Sequence, residues 1–148
     1  MKTAVPLEPF ATEWLQTPDH QQIYLEQSGN PQGIPVIYCH GGPGGGSSPF
    51  HRQLFDPALY HIIIFDQRGC GLSVPALQLE SNSTQHLIAD MELIRQHLQI
   101  QSWVVAGGSW GSTLALAYGE NYPQHCLGFI LRGIFLGREQ DIDWLYRN

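Results

Sequence analysis

The sequence predicts an α/β fold in which a mostly parallel sheet is flanked by helices. Apolar stretches typical of strands come first, and further along the chain they alternate with segments whose apolar residues have helical spacing. The run from His61 to Phe65 contains three consecutive isoleucines, a continuous pattern typical of a strand covered on both faces. At 148 residues the chain is long enough for one domain with a buried core.

The predicted elements follow one another with short connections. The six predicted strands span residues 13–17, 23–27, 36–40, 61–65, 103–107 and 127–131. A turn rich in Gly, Asn and Pro at 28–33 separates the second strand from the third. Helices are predicted over 84–98, where Ser83 or Thr84 would cap the first turn, and over 113–122.

Composition narrows the classes of partner. Seven Lys and Arg against 13 Asp and Glu give a formal charge of −6, which disfavours nucleic acid and anionic membrane surfaces. No apolar run approaches the length of a membrane span, and prolines and a glutamate interrupt the first residues before a signal peptide could form. The odd number of cysteines (Cys39, Cys70 and Cys126), without metal-ligand spacing, indicates reduced thiols and a cytoplasmic protein. For Cys70 we expect a buried, inert thiol rather than a reactive one.

A G-x-S-x-G motif spans Gly107 to Gly111, with Ser109 at its centre. It lies where a predicted strand turns into a helical pattern, so we expect Ser109 in a strained conformation with its oxygen exposed above the sheet. The glycines two residues before and after it would permit the tight turn, and the following helix would aim N–H groups at an oxyanion. The alternative is a serine that merely caps the helix.

A second motif, HGGPGGGSSP, runs from His40 to Pro49 after a predicted strand. It lacks the G-x-G-x-x-G spacing of a dinucleotide site and the G-K-[ST] of a P-loop, so nucleotide binding is disfavoured. An oxyanion loop fits better, the alternative being a flexible surface turn. Three predicted strands end in unusual residues, namely His40 with its glycines, Asp66–Gly69 and Gly107–Ser109. The carboxyl ends of these strands should converge on one site.

The motifs HGGPGGG, FDQRGCGLS and GGSWGSTLALAYG, in this order and spacing, resemble the prolyl aminopeptidases (proline iminopeptidases) of the α/β-hydrolase superfamily over nearly the whole chain. The resemblance implies that Ser109 is the nucleophile and that the N–H groups of Gly42 and Trp110 form the oxyanion hole. Phe135 matches a position that lines the pocket for a proline ring. The implied substrates are peptides with an amino-terminal proline, and no metal or organic cofactor is implied.

The resemblance also separates structural from catalytic residues. His40, Asp66 and Arg68 match positions that we expect to be structural and to hold the loops beneath the site. His40 is not expected to act as the base, because it sits in the oxyanion loop itself.

The order of residues after the motif departs from the α/β-hydrolase pattern, in which an acid and then a histidine follow the nucleophile. After Ser109 the only histidine is His125, and the later acids Asp141 and Asp143 reverse that order. Family members are about twice as long, with a helical cap and two further strands. We therefore expect residues 1–137 to be the amino-terminal part of a hydrolase core and 138–148 the start of a cap, truncated before the last strands.

That expectation has two testable consequences, and two alternative functions stand beside it. The chain alone should be inactive, since its triad acid and histidine would lie elsewhere. It should also associate with itself through the exposed edge of its last strand. The alternatives to a prolyl aminopeptidase are an esterase or acyltransferase of the same superfamily and a non-catalytic or vestigial α/β-hydrolase domain.

Overall fold

The computed structural model describes residues 6–147 and contains a six-stranded mixed sheet with helices on its faces. The strands are β1 (Ala11–Gln16), β2 (Gln22–Gly29), β3 (Ile34–Cys39), β4 (Tyr60–Phe65), β5 (Trp103–Gly108) and β6 (Cys126–Arg132). The helices are α1 (Pro49–Arg52), α2 (Thr84–His97), α3 (Trp110–Asn121) and α4 (Glu139–Tyr146), and a 3₁₀ turn spans Pro123–His125. All six predicted strands and both predicted helices are present, with bounds shifted by up to three residues.

The sheet has the strand order β1-β2-β4-β3-β5-β6. The β1–β2 and β2–β4 pairs are antiparallel, whereas β4, β3, β5 and β6 run parallel to one another. Tyr38 of β3 pairs with Ile64 on one side and with Ala106 on the other. The carboxyl ends of β3, β4 and β5 therefore meet at one edge of the sheet, as the sequence predicts.

The isoleucine run of β4 is buried on both faces of the sheet. Ile62, Ile63 and Ile64 have no exposed surface, which confirms the prediction of a central strand. Ile63 packs in the cluster formed with α2 and α3, whereas its two neighbours pack with Phe55 on the opposite face. The alternation follows from the two-residue repeat of a strand, so a continuous apolar run is required where both faces are covered.

The two long helices cover one face of the sheet. Ser83 is the N-cap of α2 and its hydroxyl accepts a hydrogen bond from the His86 N–H, so Ser83 rather than Thr84 caps this helix. The helix α3 begins at Trp110, three residues before its predicted start. Its first turn contains Gly111, a weak helix former, and therefore does not show the apolar periodicity on which the prediction rested.

Glu92 joins three elements beneath α3. Its carboxylate accepts hydrogen bonds from Arg95 on α2, Tyr118 on α3 and His125 in the 3₁₀ turn. Burial by itself raises the pKa of this carboxyl, but the hydrogen bonds from these three groups outweigh it and lower the pKa to about 2. The carboxylate is thus held ionised, and the start of β6 is tied to both helices.

The strand β6 forms one edge of the sheet in the described part of the chain. Its side chains Leu127, Phe129 and Ile130 are 42 to 60% exposed. The helix α4, which sequence reasoning did not specify, follows within the segment expected to begin a cap. No helix in residues 6–147 combines the length and the hydropathy needed to cross a membrane.

Candidate active site

Ser109 stands at the sharp turn between β5 and α3. Its backbone angles, φ 55° and ψ −124°, lie outside the regions favoured by residues with a side chain, a strain worth roughly 1–3 kcal/mol. Its exposed side chain makes no capping hydrogen bond to α3. The strained conformation predicted from the motif is confirmed. Ser109 is the N-cap residue of α3 by position, but its hydroxyl does not cap the helix.

The motif's outer glycines are required by close backbone approach. A Cβ atom on Gly107 would lie 2.2 Å from the carbonyl oxygen of Gly111. A Cβ atom on Gly111 would lie 2.0 Å from the carbonyl oxygen of Cys39, the last residue of β3. Because no side chain intervenes, the start of α3 rests directly on the end of β3.

The glycine-rich loop after β3 meets the serine turn. An ideal Cβ on Gly41 would lie 3.6 Å from the Cβ of Ser109, so the two backbones are neighbours, and the next donor along the loop is the Gly42 N–H. The Trp110 N–H belongs to the first residue of α3, where a backbone N–H has no acceptor within the helix. The segments that carry the two N–H groups assigned to an oxyanion hole therefore lie beside Ser109.

His40 is fully buried beneath this loop, and both of its ring nitrogens are occupied. Nδ1 donates to the carbonyl oxygen of Gly41 at 2.9 Å, and Nε2 accepts from the backbone N–H of Gln67 at 3.0 Å. Burial lowers the pKa of His40, so the imidazole is neutral and this tautomer satisfies both contacts. The ring has no free nitrogen for Ser109 and serves instead to join two loops.

Asp66 and Arg68 hold the loop that follows β4. The Asp66 carboxylate accepts hydrogen bonds from the N–H groups of Ser47 and Leu72, which ties its own loop to the glycine-rich one. Arg68 forms a two-pronged ion pair with Asp90 of α2, and both side chains are buried. These contacts agree with the structural role expected for both residues.

Gln67 lies between them, and sequence reasoning assigned it no role. Its side chain is buried and contacts both the His40 carbonyl and the Trp110 indole. The available signal was its position: a polar residue directly after the central buried strand, at the edge where the other motifs converge. Cys70, in the same loop, is buried, and burial raises the pKa of its thiol to about 11, in agreement with an inert cysteine.

His125 lies at the end of the strands opposite to Ser109, where β5 and β6 begin. Trp103 at the start of β5 pairs with Cys126, the residue after His125, whereas Ser109 follows the end of β5. At about 3.3 Å per residue, the two ends of β5 are roughly 17 Å apart. His125 is also hydrogen-bonded to Glu92 at 3.0 Å, so neither it nor His40 is placed to take the proton of Ser109.

A cavity of about 320 Å³ opens beside Ser109. It is lined by Gly133, Ile134, Phe135, Asp141, Trp144 and Leu145. The Phe135 N–H donates to the Ser112 hydroxyl at 3.0 Å, and the Phe135 carbonyl accepts from the Thr113 hydroxyl. These two hydrogen bonds fix the segment after β6 to α3. Phe135 is thus placed next to Ser109, and α4 supplies walls that sequence analysis did not predict.

Comparison with known proteins agrees with this geometry. A family model described as the alpha/beta hydrolase fold matches residues 34–147. The chain belongs to this family. As an α/β-hydrolase it shares its fold with a carboxylesterase from Nitrososphaera gargenis, with a TM-score of 0.75 and 21% identity over 91% of this chain and 51% of that one. A proline iminopeptidase-related protein from Thermus thermophilus superposes with a TM-score of 0.70, at 23% identity over 86% of this chain and 44% of that one.

Curated relatives of this α/β-hydrolase chain share its sequence far more closely. It is 52% identical to a proline iminopeptidase of Arabidopsis thaliana over 95% of its own length and 37% of the relative's. Identity is 51% with a proline iminopeptidase of Neisseria gonorrhoeae, over 93% of the chain and 44% of that protein. The family resemblance inferred from the motifs is confirmed. The chain spans less than half of the length of these relatives.

Proposed function

We propose that the complete protein to which this α/β-hydrolase chain belongs acts as a prolyl aminopeptidase, which releases an amino-terminal proline from peptides through a covalent acyl-enzyme. The observation that carries the proposal is the strained, exposed Ser109 beside a cavity lined by Phe135. The identity of about half of all residues to named proline iminopeptidases supports the same substrate class.

In the proposed reaction the Ser109 hydroxyl attacks the carbonyl carbon of the proline residue. The backbone N–H groups of Gly42 and Trp110 stabilise the negative charge that develops on the carbonyl oxygen. The proline ring occupies the Phe135 cavity. The C–N peptide bond then breaks, and the rest of the peptide leaves as an amine that takes up the proton lost by Ser109. Water finally hydrolyses the prolyl ester, which releases proline and restores the Ser109 hydroxyl. The proton of Ser109 passes to a histidine oriented by an acid, and we infer that both come from the part of the longer relatives that this chain does not match.

The cellular location is proposed on the state of the thiols. Cys39, Cys70 and Cys126 are unpaired, which fits the reducing conditions of the cytoplasm.

Two other functions rest on specific observations. An esterase or acyltransferase is favoured by the apolar walls of the cavity, Ile134, Trp144 and Leu145, which suit an acyl chain as well as a proline ring. A non-catalytic domain is favoured by the positions of His40 and His125, neither of which reaches Ser109.

The test compares residues 1–148 alone with the protein translated from the complete reading frame. The complete protein should hydrolyse proline-β-naphthylamide faster than alanine-β-naphthylamide or p-nitrophenyl acetate, and a fluorophosphonate probe should label Ser109. The Ser109→Ala variant should lose labelling and turnover, whereas Ser102→Ala, at the opposite edge of the sheet, should keep both. Preference for the ester would support the esterase, and absence of labelling in the complete protein would support the non-catalytic domain.

Residues 1–148 alone should show little labelling and no appreciable turnover. Without a base the hydroxyl stays protonated, and only the acceleration of about 10³–10⁴ over water that binding and an oxyanion hole provide would remain. Robust hydrolysis by the short chain, purified free of host peptidases, would mean that His40 or His125 serves as the base.

A further inference from the structure

Gln67 occupies the junction between the two backbone segments that flank Ser109. Its side chain is 2% exposed, and every polar atom of that side chain has a partner. We propose that Gln67 is a positioning residue that fixes the oxyanion donors, the N–H groups of Gly42 and Trp110, relative to each other. The inference rests on the proposed function only in requiring that Ser109 performs acyl transfer.

Two hydrogen bonds join Gln67 to the glycine-rich loop. Its backbone N–H donates to Nε2 of His40 at 3.0 Å, and its side-chain Nε2 donates to the His40 carbonyl oxygen at 2.9 Å. Because Nδ1 of His40 also donates to the Gly41 carbonyl, the carbonyl groups of the His40–Gly41 and Gly41–Gly42 peptides are both held. The Gly42 N–H belongs to the second of these planar peptides and is therefore oriented by the same contacts.

A third hydrogen bond joins Gln67 to the residue after the nucleophile. The Trp110 indole Nε1 donates to Oε1 of Gln67 at 3.1 Å. An indole can only donate and a carbonyl can only accept, so these two partners fix the orientation of the amide. A single planar group therefore spans from His40 to Trp110 and sets the separation of the two segments.

The bridge itself is held on both sides along the chain. Asp66, before it, accepts two backbone hydrogen bonds, and Arg68, after it, pairs with the buried Asp90. Gln67 therefore cannot follow a displaced loop, and a displaced loop loses its hydrogen bonds to Gln67. These contacts explain why an amide suits the position between Asp66 and Arg68: it carries both a donor for the His40 carbonyl and an acceptor for the indole, whereas a carboxylate has no donor and an ammonium has no acceptor.

The effect should appear in turnover rather than in substrate binding. Loss of one oxyanion donor typically lowers kcat by about 10²–10³, and misplacement by about 1 Å can cost a similar factor. Substitution of Gln67 leaves both donors in the protein and changes only their positions. A loss of about 10–100-fold in kcat is therefore expected. KM should change little, because the cavity lined by Phe135 is formed by the segment after β6.

The test uses three single variants and one double variant of the protein translated from the complete reading frame. Gln67→Met keeps the length of the side chain and the backbone contact to His40 but deletes both side-chain hydrogen bonds. Gln67→Glu keeps the acceptor for Trp110, and Trp110→Phe deletes the indole donor while keeping its backbone N–H. We expect kcat to fall most in Gln67→Met, and the combined Gln67→Met/Trp110→Phe variant to lose less than the product of the two separate factors.

The matched control is Gln27→Met. Gln27 also bonds a histidine, accepting from His61 at 2.9 Å, but on β2 and away from Ser109. It should lower the melting temperature and leave kcat unchanged. If Gln67→Met and Gln27→Met lose kcat in the same proportion to their loss of melting temperature, Gln67 only stabilises the fold and the proposal is overturned.

Two further measurements distinguish failure of this inference from failure of the proposed function. Turnover is measured on both proline-β-naphthylamide and p-nitrophenyl acetate, since both use the oxyanion hole; activity on the ester alone rejects the proline specificity and still tests Gln67. The Trp110 indole ¹H–¹⁵N resonance, assigned through Trp110→Phe, should shift and exchange faster in Gln67→Met. An unchanged resonance would overturn the proposal even in a protein without activity.

Discussion

Replacement of Gly111 by alanine tests whether backbone contact sets the position of the nucleophile. In the middle of an ordinary helix a Gly→Ala change stabilises by about 1 kcal/mol, because alanine is the better helix former. Here the added Cβ would lie 2.0 Å from the Cys39 carbonyl oxygen and 3.0 Å from that of His40. Both obstacles are backbone atoms of β3 and the loop after it, so α3 must move away by more than an ångström.

Overpacking of this kind costs about 1–3 kcal/mol, and rigid neighbours place Gly111→Ala at the upper end of that range. After the gain in helix propensity is subtracted, a net loss of about 2 kcal/mol remains, or roughly 4–8 °C in melting temperature for a domain of 150–250 residues. Movement of α3 would also displace the Trp110 N–H, so the rate of fluorophosphonate labelling at Ser109 should fall about 100-fold in the complete protein.

The matched control lies in the same helix. A Cβ on Gly119 would meet only the ring of Phe129, whose side chain is 42% exposed at the sheet edge and can rotate aside. Gly119→Ala should therefore be neutral or stabilising and should leave labelling unchanged. Both variants are compared by thermal unfolding followed by circular dichroism. A Gly111→Ala protein as stable and as reactive as the parent would refute the backbone argument.

Three further predictions concern the pocket, acid stability and the sheet edge. Phe135→Ala should slow the complete protein on proline substrates by the equivalent of about 1–3 kcal/mol and on alanine substrates far less; equal losses would remove the pocket assignment. The pKa of Glu92 in the folded protein, about 2, lies below the ordinary value of 4.5, so its stabilisation is complete above pH 4.5 and is lost as the pH falls towards 2. The difference in unfolding free energy between the parent and Glu92→Gln should therefore shrink over that interval, and a difference independent of pH would contradict it. Residues 1–148 alone should dimerise or aggregate through β6, and Phe129→Lys should reduce this; a monodisperse parent in size-exclusion chromatography would argue against an unpartnered edge.

The sequence was most informative where local patterns and packing agree. The isoleucine run of β4, the helical spacing of α2 and the G-x-S-x-G spacing around Ser109 can each be recognised in a short stretch of sequence, and each was predicted. The start of α3 was missed because Gly111 serves a contact with β3, which no local pattern reveals. Gln67 was missed for the same reason, since its partners lie 27 and 43 residues away.

The walls of the cavity mark the limit of sequence reasoning at the site. Phe135 was placed by resemblance, whereas Trp144 and Leu145 reach the cavity only because α4 folds back towards Ser109. That path is determined by tertiary contacts, among them the hydrogen bonds between Phe135 and the first turn of α3. Whether Ser109, Gly42, Trp110 and Phe135 perform the assigned roles remains a prediction for the experiments above.

The residues proposed to perform the reaction and those proposed to select the substrate lie in separate stretches of this chain. The proposed nucleophile Ser109 and the segments that carry its two proposed backbone donors lie between His40 and Gly111, whereas every wall of the adjoining cavity other than Ser109 comes from residues 133–145. A short exchange of sequence after β6 can thus replace the lining without touching the attacking group. Residues 133–145 are therefore the contiguous segment to vary in directed evolution of the proposed pocket.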